Sequence, residues 1–488
     1  MLKNKLMNLS ILVLGVYFIV RLINQSQLLW TFPLDFTNDW ASWIGQLHFL
    51  KECGFHNFCP YWYNGFISFL ISAPGWSFFA LPFYLLTGNI LISTYVSFIL
   101  LYVIGFVFLY IFGKSQRLSS RDIILFFLLF FGNAIAIGNF IRLGRIVSLF
   151  AFVMFIGLAA LVFWYRNHEI DKKFLLFIPI YAILLISHQQ EIILGSFLVL
   201  CLFLVKKNKE RILIVFYSFL SFLLAAFWVV PFLFNVGKTN LLNYQQSNLL
   251  NWWFSLDNIY LLTNLVAVFI PLGLFLVFYL YMKNSNRKEL LFFLPILLLN
   301  LLFLLRLVRF IPILEHISPD PFIVFFLFFT IFFLLKIKFK RENLVWGLIL
   351  ILVIGNVAIS AIKTPYFIEY TDLEEEVNSM FPFVEGKYFM IGGESITSYS
   401  KAHYAYAAVY HNLSSVQGWY DQIASPEYLE VFREIVGIYR GGDCDRFNEL
   451  LDILEAEEVI FYGYDCSSLN SCGLNEKVSK EKVCLYTT

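Results

Sequence analysis

Runs of apolar residues long enough to cross a membrane recur along this chain, and a soluble fold has no use for so many. They read as spans near residues 8–24, 89–112, 122–138, 147–165, 173–187, 190–205, 212–235, 258–282, 289–306, 322–337 and 344–362, eleven in all. Bilayer hydrocarbon offers backbone polar groups no water, so each span is expected to be a helix. Composition agrees: 59% of the 488 residues are hydrophobic, 57 are Phe, and only 14% are charged. Soluble domains carry about 25% charged residues. The expected class is a polytopic α-helical membrane protein with about eleven transmembrane helices.

The formal net charge of +1 conceals a division. Residues 1–363 hold 27 Lys and Arg against 13 Asp and Glu, whereas residues 364–488 hold 8 against 21. The basic residues lie scattered in short loops, so a nucleic-acid surface is not expected. Clusters at Lys3/Lys5, Lys114/Arg117/Arg121, Arg166/Lys172/Lys173, Lys206/Lys207/Lys209/Arg211, Lys283/Arg287/Lys288 and Lys336/Lys338/Lys340/Arg341 occupy alternate connections. The positive-inside rule makes those cytoplasmic. The N-terminus is then inside, while the first loop (residues 25–88) and an acidic C-terminal domain (364–488) lie outside.

Residues 65–88 are apolar enough to span, but a span there would put Lys114 to Arg121 outside. Pro74, Gly75 and Pro82 also break a helix. This segment is read as interfacial or re-entrant. Lys3 and Lys5 precede an apolar run with no small-residue cleavage site after it, so the first span is expected to stay. No internal repeat is seen.

Six of the seven cysteines fall on the expected outer side, where disulfides persist: Cys53 and Cys59 in the first loop, and Cys444, Cys466, Cys472 and Cys484 in the tail. A Cys53–Cys59 bridge and two tail bridges of undetermined pairing are expected, with a zinc site in the tail as the alternative. The tail reads as a small α/β domain. Its strands are expected at Tyr388–Ile391, Val459–Tyr462 and Val483–Tyr486, with helices from Pro426 to Tyr439 and from Cys444 to Glu455. Asn412-Leu413-Ser414 is a glycosylation sequon.

Between Leu34 and Gly65 the oily sequence gives way to polar and aromatic residues, with Asp35 and Asp39 four apart. A carboxylate at a membrane surface is costly. It can take a proton from an acceptor hydroxyl, or hold a divalent metal such as Mg or Mn. The competing reading is that these residues only cap the helix starting at Trp40. Arg142 and Arg145 lie in the next outer turn, and Arg306 and Arg309 end another span on the same side. Arg suits phosphate because its planar fork donates paired hydrogen bonds. Snorkelling of Arg142 and Arg145, and pairing of Arg306 and Arg309 with Glu315 or Asp320, are the alternatives. His188 and Glu191, at the outer junction of two short spans, can touch a sugar, ligate metal, or pair structurally. His48, Glu52 and His56 are read as solvated loop residues. The loop from Gly237 to Asp257 is amide-rich and aromatic; Tyr244 and Gln245 suit sugar recognition, and Trp252 and Trp253 suit an interfacial belt.

These residues resemble the GT-C superfamily of polyprenyl-phosphate-dependent membrane glycosyltransferases. The likeness is to large archaeal and bacterial membrane proteins whose first loop runs G-x-D, a lysine-bearing helix, then W-x-P-x-W-x-x-G. Here it reads Asn38-Asp39, Leu50-Lys51-Glu52-Cys53-Gly54 and Phe58-Cys59-Pro60-Tyr61-Trp62-Tyr63-Asn64-Gly65. Ser72-Ala73-Pro74-Gly75, Gly144-Arg145 and Gly418-Trp419-Tyr420 are similar to the family's re-entrant element, G-R turn and tail motif. The family often has His four residues after its Asp, where this chain has Trp43. The resemblance implies a GT-C-like fold and a donor sugar on polyprenyl or dolichyl phosphate, lying between spans. Its phosphate would meet the outer-face arginines, Asp39 would act as base, and the anomeric centre would invert. The acceptor would be a glycan, lipid or protein, with His188, Glu191, Tyr244, Gln245 and Trp419 near the substrates. A transporter or flippase of lipid-linked sugars, and a receptor-like scaffold with an acidic tail, are the readings from other classes.

Overall fold

The computed structural model describes residues 2–34, 39–239, 258–283, 285–367, 369–392, 401–463 and 466–488. Each expected span coincides with helix. The long ones are Leu2–Gln25, Ile90–Ser115, Ile146–Tyr165, Asn208–Asn235, Asn258–Met282, Arg287–Leu304, Pro319–Lys336 and Glu342–Lys363. Among the described residues six helices meet the length and apolarity of a membrane span, and Ser120–Phe131 with Ala134–Arg142 makes a seventh bent by 47°. The span read at 173–187 is a 3-10 turn followed by the short helix Phe177–Leu185, and Gln189–Val205 is also short. The molecule is a multi-pass membrane protein.

Helix Ile146–Tyr165 lies at the centre, almost wholly buried. Gly105 and Gly157 let it approach Ile90–Ser115, because a side chain on Gly157 would press within 3.0 Å of Phe108. Small residues at crossings are how membrane helices gain close packing without help from water. Phenylalanines fill the rest. Phe112 meets Phe163 edge-to-face with ring centroids 5.1 Å apart, and Phe155 meets Phe328 at 5.3 Å.

Polar contacts sort the connections into two ends. At one, Arg166 pairs with Glu289 at 2.8 Å and reaches Gln116, Lys336 donates to the Gln116 carbonyl, and Lys3 meets Glu342. These are connections that the charge pattern groups together. At the other end lie Asp39, Leu143, Arg145, His188 and Asp320.

Residues 66–88 form a two-residue strand, Phe66–Ile67, paired with Phe58–Cys59, and the helix Gly75–Thr87. Thirteen residues rise about 20 Å, short of the ~30 Å hydrocarbon thickness. The helix starts against the second end, with the Gly75 N–H on the Ile186 carbonyl at 2.9 Å. A side chain on Gly75 would lie 2.8 Å from that same carbonyl oxygen, so only glycine permits the contact.

Arg21 governs how the chain leaves the last span. Its guanidinium donates to the Thr364 and Pro365 carbonyls at 3.0 and 2.7 Å and lies over the Tyr366 ring. Beyond it, a four-stranded sheet takes the order Tyr388–Gly392, Glu458–Tyr462, Val483–Thr487, Asn475–Ser479, the first pair parallel and the others antiparallel. The three expected strands are present. The fourth, Asn475–Ser479, is an exposed edge whose charged residues carry no apolar signal. Helices Asp372–Asn378, opened by a Thr371 capping box, and Ala402–His411 are further additions. Disulfides join Cys53 to Cys59 and Cys444 to Cys472. Cys484 is disulfide-bonded too, and the side chain of Cys466 lies outside the described residues.

The first loop docks on this tail. Tyr61 accepts at its carbonyl from Ser415 N–H, the Tyr63 N–H donates to the Gln417 carbonyl, and the Tyr63 hydroxyl donates to Asp421. The Tyr61 hydroxyl donates to the sequon residue Asn412. Gly418 is the residue that fits, because a Cβ there would fall 2.6 Å from Tyr63 and 2.9 Å from Trp62. Loop and tail therefore share one side of the bundle.

Candidate functional site

The site begins with a pinned helix start. The Asp39 N–H donates to the Leu143 carbonyl at 2.5 Å, and the Trp40 indole donates to the Ile141 carbonyl at 2.9 Å. The turn they hold follows a π-helical stretch, Ile137–Arg142, of the kind that often marks functional places. Gly144 lets the two segments touch. Its φ is +70°, and a Cβ would sit 2.4 Å from the Trp40 ring and 2.8 Å from the Trp40 nitrogen.

Asp39 occupies the N-cap position of Trp40–Glu52, yet its side chain makes no capping hydrogen bond. The carboxylate instead lies 3.9 Å from Nε of Arg145. Arg145 gives Nη1 to Asp320 at 2.6 Å and to Asn139 Oδ1 at 3.0 Å. Asp320 comes from the first turn of Pro319–Lys336, where helix N–H groups favour an anion. That helix start is tied in by Ser318, which donates from its N–H and hydroxyl to Gln190. Glu191, buried at 1% exposure, hydrogen-bonds the His188 ring at Nδ1 and accepts from the Ser148 hydroxyl. His188 lies within electrostatic reach of Asp39.

Four segments distant in sequence thus meet in one recess. Asp39 keeps 45% of its side-chain surface, against 11% for Asp320 and 29% for Arg145. Atoms surround Asp39 on most sides, but one side stays open. Burial pushes its carboxyl above the usual carboxylate range, and the Arg145 and His188 charges act against that rise. A carboxylate so placed is a better proton acceptor than one in water.

Metal binding fits less well. Among the described residues no group of three or more His, Cys, Asp and Glu could hold an ion. The Arg145 guanidinium fills the gap between Asp39 and Asp320, the place a metal shared by those two carboxylates would need.

No protein-family model matches this chain, and no curated protein matches it by sequence. Solved structures do match. Two structures of the arabinofuranosyltransferase AftD from Mycobacteria superpose over 97% of this chain with TM-scores of 0.61 and 0.59, at 12% identity. This chain spans 41% and 39% of theirs. The Archaeoglobus fulgidus oligosaccharyltransferase, in complex with Zn and sulfate, matches 91% of this chain at a TM-score of 0.57 and 10% identity, with 68% of its own length covered. The chain shares its fold with these solved structures.

Within this shared fold the other expected site residues separate. Arg142, one turn from Arg145, lies within reach of the Arg21 charge, and its helical stretch packs on Leu2–Gln25. Two arginines three residues apart thus meet different neighbours. Arg306 and Arg309 lie on the connection from Arg287–Leu304 to Pro319–Lys336, on the chain leading to Asp320. Arg306 has a φ of 59°, and the Arg309 guanidinium stacks on Phe310 at 4.4 Å. Of the acids weighed as their partners, Asp320 binds Arg145 and Glu315 lies 3.7 Å from His316. Half-buried Trp419 belongs to the Gly418–Tyr420 stretch that packs on the first loop, where Tyr420 meets Trp43 one turn from Asp39. Asp35, Tyr244 and Gln245 lie outside the described residues, as do Trp252 and Trp253.

Two readings change. His48 is not a solvated loop residue. It is 7% exposed, against Tyr61, and burial pushes its pKa down to about 4. Asp320 enters the site, although the sequence suggested it only as a partner for Arg306 or Arg309. Its signal was Ser-Pro-Asp-Pro ahead of an apolar run, a helix start at the same end as Asp39.

Proposed function

We propose that this chain moves a sugar from a polyprenyl-phosphate donor to an acceptor hydroxyl on the outer membrane face, inverting the anomeric carbon, with Asp39 as base. The observation that carries the reading is the uncapped Asp39 carboxylate, held in an open recess 3.9 Å from a fixed guanidinium. The fold shared with AftD and an oligosaccharyltransferase supports glycosyl transfer as the reaction class.

The acceptor hydroxyl gives its proton to Asp39 as its oxygen bonds to the anomeric carbon. The bond from that carbon to the phosphate oxygen breaks, and the electron pair leaves with the lipid phosphate. The new negative charge on that phosphate needs donors already aimed at it. Arg145 can offer Nε and Nη2, since Asp320 and Asn139 engage only Nη1. Arg306 and Arg309 supply further positive charge at the same end. His188 and Glu191, and the Trp419 stretch, would border the sugar and the acceptor.

The test is incubation of the purified chain with radiolabelled polyprenyl-phosphate sugars and separation of the products. Transfer of label to a hydroxyl acceptor, lost in Asp39→Asn, is the expected result. Movement of intact donor across vesicles without transfer would establish a flippase instead.

A further inference from the structure

We infer that Asp320 is a positioning residue: it holds Arg145 off Asp39 and so keeps the base free. The inference rests on the reading of Asp39 as base.

A guanidinium beside a lone carboxylate normally closes into a paired contact at about 2.8 Å. Here the distance from Arg145 Nε to Asp39 is 3.9 Å, beyond a hydrogen bond. The opposite edge explains the gap. Asp320 and Asn139 share Nη1 at 2.6 and 3.0 Å. Asp320 is itself fixed, being 11% exposed on the first turn of a helix whose start is tied to Gln190. If Arg145 swung onto Asp39, two carboxylate lone pairs would be occupied, and the guanidinium would be lost to the leaving phosphate. The pair Asp39 and Arg145 therefore works only while a third group restrains it. Glu191, the other acid within reach of Arg145, is committed to Ser148 and His188.

The test uses the full chain in lipid nanodiscs, as Asp320→Asn, Asp320→Glu and Asn139→Ala. With a polyprenyl-phosphate sugar as probe, Asp320→Asn should lower kcat on the order of 10²-fold while donor KM moves less than about 3-fold. Asp320→Glu should recover most of the loss. A raised KM at unchanged kcat, or a Glu variant as inactive as the Asn variant, would overturn the assignment. A structure of Asp320→Asn, or of Asn139→Ala should the first not fold, gives an answer that needs no substrate. Arg145 closing to hydrogen-bond distance of Asp39 supports the inference, and an unchanged separation refutes it. Should the wild-type chain transfer no sugar, the functional reading fails, and the structural readout still decides the restraint.

Discussion

Trp62 of the first loop donates its indole N–H to the backbone carbonyl of Tyr404, 342 residues further along the chain. The ring is fully buried and touches Phe49 edge-to-face at 4.7 Å. Removing a buried Trp side chain costs about 3–5 kcal/mol. Trp62→Ala should therefore release the tail from the loop. Limited proteolysis of the membrane-embedded protein should then cut between residues 364 and 402 sooner than in wild type. An unchanged digestion pattern would show that the tail is held by other contacts.

Asp39→Asn keeps the size of the side chain and removes its basicity. Transfer should fall by at least about 10²-fold, with yield and elution of the protein unchanged. Near-normal activity would remove Asp39 from the chemistry.

The pH profile carries a sign. Burial raises the Asp39 pKa, and Arg145 and His188 lower it. A base works ionised, so turnover should climb with pH through an acidic limb placed above the ordinary carboxylate range of about 4. Arg145→Gln removes an opposing charge, so the limb should move further up in pH. A downward shift would contradict the electrostatic account. Asp39→Asn should abolish the limb.

Gly144→Ala tests the close approach. At a φ of +70°, with Trp40 atoms 2.4 and 2.8 Å from the added Cβ, the variant is strained and blocked at once. Left-handed strain alone costs roughly 1–2 kcal/mol. The Trp40 helix start should shift and carry Asp39 with it. Turnover should therefore fall more than thermal stability does, by comparison of kcat with the melting temperature. A variant equal to wild type in both would show that the turn has slack.

Arg306→Ala and Arg309→Ala should weaken donor binding more than they slow the chemical step. Donor KM should rise about 10-fold, and the loss should shrink as salt is raised and the wild-type contact is screened. A change in turnover at constant donor affinity would argue against phosphate contact.

Apolar length and alternate basic clusters made the helices, and the sorting of their connections, readable in advance. So were the three buried tail strands, because each is a short apolar run between turn residues. Strand Asn475–Ser479 was not, since its pairing comes from the neighbouring Val483–Thr487 rather than from its own composition. Asp39, Arg145, His188 and Glu191 could be picked out individually, as polar groups at one face. That they share one recess depends on Gly144, Gln190 and Ser318, whose roles are long-range fits that no local pattern announces. Arg142 shows the reverse limit: it matches Arg145 by type and place in sequence, but it ends the π-helical stretch within reach of the Arg21 charge, while Arg145 meets Asp320.

The loop of Tyr61, Trp62 and Tyr63 is made early, and its docking surface is made last. At about 5–20 residues per second, the ribosome needs roughly 17–70 s to travel the 342 residues from Trp62 to Tyr404. Throughout that interval a nascent chain carries a large indole covered only by neighbours in its own loop, Phe49 and Phe66. The Cys53–Cys59 link, only six residues apart, can close well before then and brace the waiting loop. Termination just after the last membrane helix, Glu342–Lys363, would thus leave the membrane helices made and the rim of the recess unbuilt.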